Sequence, residues 1–80
     1  MKATKGKPKS ERDVEKGYTT RQMAAKLRRL ADCIETGRRF QIQIEGERVS
    51  VPPEAVLNIE HEREGGREEI EFQLKWRTKD

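Results

Sequence analysis

Eighty residues are enough for one small domain, and a chain that is 41% charged and 31% hydrophobic holds no run near the ~20 apolar residues of a membrane span. No signal-peptide pattern opens the chain, and the single cysteine, Cys33, excludes an internal disulfide, so a reducing cytoplasm is the expected setting. The net charge of +3 is unevenly spread: residues 1–17 hold six positive and three negative charges, residues 18–37 four and two, and residues 38–80 eight and ten.

Met1 to Ser10 carries Lys2, Lys5, Lys7 and Lys9 with Gly6 and Pro8 and no apolar run. We read residues 1–11 as a mobile basic tail and residues 12–80 as a single α+β domain. The segment Arg12–Lys16, with Val14 its apolar residue, is compatible with a short strand. A helix is expected next. Thr19 or Thr20 supplies an N-cap, and Thr19 with Gln22 has capping-box spacing. Met23, Leu27, Leu30 and Ile34 then recur at helical intervals, flanked by Ala24 and Ala31, and Gly37 stands where a left-handed residue ends the helix. Arg21, Lys26, Arg28, Arg29, Asp32 and Glu35 fall outside the apolar arc, so one face docks and the rest is solvated.

After the helix the period changes from 3.6 to 2. Phe40, Ile42 and Ile44 alternate with Gln41, Gln43 and Glu45; Glu45-Gly46-Glu47 turns the chain into Arg48–Val51, where Val49 and Val51 continue the apolar face. Pro52-Pro53 ends that strand, because proline cannot donate to a ladder. A third strand, Leu57–Glu62, meets the turn Gly65-Gly66 and leads into a fourth over Glu68–Arg77, in which Ile70, Phe72, Leu74 and Trp76 share one face. The expected architecture is one amphipathic helix packed on one face of a small antiparallel sheet of about four strands. Fifteen large apolar residues occupy positions expected to be buried, Phe72 and Trp76 among them. That is a small core for the chain length, compatible with a marginal monomer or with a dimer.

In order and spacing these segments resemble the Amphi-Trp domain family. The likeness rests on Arg21 to Gly37, on the Val49-Ser50-Val51-Pro52 strand end, and on the acidic strand leading through Glu69-Ile70-Glu71-Phe72-Gln73-Leu74-Lys75 to Trp76. It covers roughly residues 14–77 and leaves out the Lys-rich tail. The resemblance implies a compact helix-on-sheet domain and supplies no catalytic or binding residue to carry over.

The residues themselves offer little chemistry. One histidine, His61, and one cysteine cannot form a His/Cys metal site or a Cys/His nucleophile pair, and Ser50 has no histidine set beside it by any motif. Glu60, Glu62 and Glu64 on one strand and Glu69 and Glu71 on its neighbour read as a solvated acidic face that discourages edge-to-edge association. Gly65-Gly66 reads as a turn, since no helix follows to hold a phosphate. The expectation is therefore a chain with no enzymatic activity, cofactor or metal. Two functional classes follow. The first is a binding or accessory module engaging a protein partner or a second copy, with Trp76 as a candidate contact anchor, although a Trp at the end of a sheet is more often a lid on the core. The second is weak, sequence-independent nucleic-acid binding through Lys2, Lys5, Lys7, Lys9, Arg21, Lys26, Arg28 and Arg29, since phosphate contacts need only positive charge. Against it, Asp32 and Glu35 interrupt the helix face, and by parity the sheet keeps its aromatics inward.

Overall fold

The computed structural model describes residues 11–78. It contains α1 (Thr20–Thr36), β1 (Phe40–Ile44), β2 (Glu47–Val51), β3 (Val56–Glu64) and β4 (Arg67–Lys75). The tail lysines Lys2, Lys5, Lys7 and Lys9 lie outside the described residues. Arg12–Lys16 is not a strand. Instead Arg12 forms an ion pair with Glu47 and donates from Nη2 to the Ile44 carbonyl at 2.9 Å, which pins this segment across the β1–β2 turn.

Local chemistry accounts for both ends of α1. The Thr19 Oγ1 accepts from the Gln22 amide at 3.1 Å and the Gln22 Oε1 accepts from the Thr19 amide at 3.0 Å, so two donors at the open end of the helix are satisfied reciprocally. At the other end Gly37 takes φ 65° and ψ 33°, a left-handed conformation that costs glycine nothing, and Arg38 donates to the Cys33 carbonyl at 2.9 Å.

The strands form two antiparallel hairpins. β1 pairs with β2 from Phe40↔Val51 to Ile44↔Glu47, and β3 pairs with β4 from Val56↔Lys75 to Glu64↔Arg67. Each closes on a two-residue turn with positive φ at both positions, at Glu45 (46°) with Gly46 (83°), and at Gly65 (57°) with Gly66 (81°). This turn geometry matches the natural twist of a hairpin. The α+β class and the four antiparallel strands are as expected, but the strands make two two-stranded sheets rather than one. Pro52-Pro53 accounts for the separation. It removes two amide donors and bends the chain, with Ala55 donating to the Pro52 carbonyl at 3.1 Å across the bend. β3 and β4, at nine residues each, also outrun the five-residue β1 and β2, and among the described residues neither pairs with a strand of the other hairpin.

The core sits where α1 meets β1. Among the described residues Phe40, 6% exposed, and Val51, 7% exposed, are the buried large hydrophobics, and they are directly paired across the ladder. Pro52 is buried beside them. The Arg29 guanidinium lies over the Phe40 ring, 4.9 Å from its centre, and Nη1 donates to the Gln41 carbonyl at 2.9 Å, so a cation and its stem complete the seam between helix and strand. Much of the apolar set expected to be buried is not. Met23, Leu27, Ile34, Leu57, Ile59, Ile70, Phe72 and Trp76 all remain substantially exposed. Parity assigns these residues to a common face but does not supply the layer that would cover it.

Two outcomes follow from this packing. Phe40→Ala removes the most enclosed ring and should cost about 3–5 kcal/mol, whereas Val56→Ala, on an open strand face, should stay within about 0.5 kcal/mol in denaturant melts. Glu45 is a side-chain-bearing residue held at φ 46°. Its replacement by asparagine, which tolerates the left-handed region, should raise stability by about 0.5–1 kcal/mol in the same melts.

Candidate functional site

The β3–β4 ladder sorts its side chains into two chemically distinct faces. Directly paired residues of an antiparallel ladder project to the same side. Leu57, Ile59, His61 and Arg63 therefore share a face with Leu74, Phe72, Ile70 and Glu68, while Asn58, Glu60, Glu62 and Glu64 share the other with Gln73, Glu71, Glu69 and Arg67.

The first face is apolar over most of its length and open. Leu57 is 51% exposed, Ile59 67%, Ile70 59% and Phe72 62%. Its near end borders the C-terminal half of α1, where Leu30 and Ile34 face Leu57, Ile59, Phe72 and Leu74 across an open groove of about 270 Å³. Ile70 lies past that groove. The distal end is closed by charge: the His61 Nε2 stands 2.8 Å from the Glu68 Oε1, and Arg63 approaches the other Glu68 oxygen at 3.3 Å. His61 thus keeps the strand parity expected of it and ends in a hydrogen bond to Glu68.

The second face is acidic. The Gln73 Nε2 donates to Glu60 at 2.7 Å and to Glu71 at 2.9 Å, drawing two carboxylates toward one amide. A hydrogen bond shared with Glu71, together with that neighbour's negative charge, pushes the Glu69 carboxyl above the usual range. On the opposite face the hydrogen bonds from His61 and then Arg63 hold Glu68 below it. Among the described residues no cluster of three or more His, Cys, Asp or Glu is arranged to hold a metal ion. The Cys33 Sγ donates to the Arg39 carbonyl at 3.4 Å, and Ser50 accepts from Arg39 at 3.2 Å.

Among the described residues, the cations of the basic set are not equivalent. Arg21 and Arg28 are exposed on α1. Lys26 lies over the Tyr18 ring, 5.0 Å from its centre, and Arg29 is engaged with Phe40 and Gln41. The expectation that parity hides the aromatics is also corrected, since Phe72 is exposed; its same-face neighbours on the ladder are aliphatic apart from the His61 imidazole, which stands diagonal to it. Trp76 follows directly on β4 and is 37% exposed, in a hollow it shares with Arg12, Glu47, Val49 and Leu74. It therefore borders the junction of the two hairpins and not the open distal face.

The open face is what the sequence reading missed. The available signal was strand length. Nine-residue strands reach about 30 Å, and five-residue neighbours cannot flank them throughout.

A family model described as the Amphi-Trp domain matches residues 7–80. The chain belongs to the Amphi-Trp domain family. No curated protein and no solved structure matches it. The family match takes in the whole helix and both hairpins, so the open face lies within the Amphi-Trp domain itself. No described helix is long and apolar enough to cross a membrane.

The two glutamates on opposite faces should titrate with opposite sign. A carboxyl held low in the folded state stabilises above its unfolded pKa of about 4.3 and loses that contribution as pH falls through the lower folded value. Glu68→Gln should therefore lower the melting temperature at neutral pH, and the difference should close in strong acid. A carboxyl pushed up opposes folding once ionised, so Glu69→Gln should raise the melting temperature at neutral pH, with the gain disappearing below the usual glutamate range. Thermal melts of both variants between pH 3 and 7 check the two signs together.

Proposed function

We propose that this Amphi-Trp domain is a non-enzymatic interaction module that binds protein through the apolar face of its β3–β4 hairpin. A single observation supports the reading: four large hydrophobic side chains, Leu57, Ile59, Ile70 and Phe72, stand together on one strand face, each more than half exposed. Contiguous apolar surface of this kind is costly in water and marks interaction sites. The acidic residues on the opposite face and the charged cluster at the hairpin tip supply a polar border around it. A reducing, cytoplasmic setting belongs to the same proposal and draws its support from the unpaired Cys33.

Nucleic-acid binding through the tail lysines with Arg21, Lys26, Arg28 and Arg29 is the competing class. Two of its helix cations already serve the packing of Tyr18 and Phe40. Capture by the tagged full chain, at low and high salt and with and without nuclease, separates the two classes. The protein-binding reading expects capture that resists nuclease, persists at high salt and is lost on Ile59→Glu. Nuclease-sensitive capture, unaffected by Ile59→Glu and falling with salt at a log–log slope of roughly −3.6 for about four phosphates, would overturn it.

A further inference from the structure

We infer that the occupant of the apolar β3–β4 face is a second copy of this chain, packed reciprocally so that each copy's hairpin face is covered by the other. The inference rests on the protein-binding reading above and names its partner.

The first argument is geometric. A helix with its side chains is about 10 Å across and strands lie about 4.8 Å apart, so one helix covers two strands. α1 is committed to the first hairpin through Phe40 and Arg29 and overlooks the second only at its near end, across the groove of Leu30 and Ile34. The uncovered strands call for one more layer of similar size. The same arc of α1 leaves Met23, Leu27 and Ile34 nearly half exposed, so each copy has both an unfilled sheet face and unused helix surface.

The second argument is area. At roughly 200 Å² for a fully exposed large apolar side chain, those three helix residues and the four hairpin residues expose on the order of 750 Å². One side of a standard protein interface is about 800 Å². Burying this surface once per copy therefore gives an interface of ordinary size.

The third argument concerns timing and charge. The deficit lies in the core itself, where Phe40 and Val51 are the buried large hydrophobics among the described residues. A partner that completes a core has to be present whenever the chain folds, and a second copy always is. Electrostatics permits the match: Glu60, Glu62, Glu69 and Glu71 lie on the reverse of the ladder, so two apolar faces can meet with the carboxylates directed away from the contact. Two-fold pairing also closes the assembly and leaves no apolar face free to propagate it.

The test is sedimentation equilibrium with thermal melts on the full chain, from about 1 to 200 μM. The expected result is twice the chain mass and a melting temperature that rises with concentration. Ile59→Glu should weaken the dimer by roughly 100-fold, shifting the mass toward one chain or abolishing the melt, while Val56→Glu, on the reverse face, should leave the mass unchanged. A single-chain mass with a concentration-independent, cooperative melt across the whole range would overturn the inference, whatever Ile59→Glu does. Binding of an apolar dye then distinguishes the two failures. A monomer that binds dye, and loses it on Ile59→Glu, keeps an open face for a different protein and leaves the proposed function standing. A monomer that binds none has closed the face within itself, and both readings fall.

Discussion

A helix about 10 Å wide spans two strands of a sheet, and among the described residues this chain sets one helix against four strands. Everything else in the structure adjusts to that ratio. α1 docks on the shorter hairpin, where Phe40 and Val51 face each other and Arg29 seals the seam with its guanidinium. The longer hairpin is left bordered by the helix only across an open groove at its base, and its outer half is uncovered. Two nine-residue strands joined by a tight turn are marginal alone in water, because a two-stranded ribbon lacks a layer to bury its apolar side. The exposed side chains of β3 and β4 are thus an imbalance in layers, concentrated on one face by the alternation of the strands.

Charge is organised around the same imbalance. The acidic residues of β3 and β4 lie on the face away from the helix, where Glu71 opposes the ionisation of Glu69 and Gln73 draws in Glu60 and Glu71. The tip of the apolar face carries Arg63, His61 and Glu68 as a compact mixed-sign cluster, so the apolar patch has a definite end. Strands with unpaired edges are templates for aggregation, and closely set like charges are a common defence. Here that defence occupies one side of the ladder, leaving the other free to make contacts.

The proposed binding role and the fold are therefore not separable. In most small domains the core is complete and a binding surface is added to it. In the role proposed for this Amphi-Trp domain, the surface offered for binding is the apolar face that the single helix leaves uncovered. On that proposal stability and association draw on the same side chains, so substitutions at Ile59, Ile70 or Phe72 would act on both together.

What could be read from the sequence was whatever depends on near neighbours in the chain. Thr19 with Gln22 and Gly37 bound the helix because caps are satisfied within a few residues. Glu45-Gly46 and Gly65-Gly66 close hairpins because positive φ is a local steric demand, and the two-residue period of β4 places Ile70 with Phe72 because side chains alternate along any strand. The order of these segments was also enough to indicate the family. Tertiary structure alone decided what lies opposite each face. It put the Arg12 segment across the β1–β2 turn instead of in a strand, and turned Arg29 from a candidate phosphate contact into the partner of Phe40. It also split the strands at Pro52-Pro53 into two sheets and left Phe72 in solvent. The physical reason is common to all four. Periodicity fixes the direction in which a side chain points, but burial requires a second surface at the right distance, and the position of that surface is set by how distant segments pack.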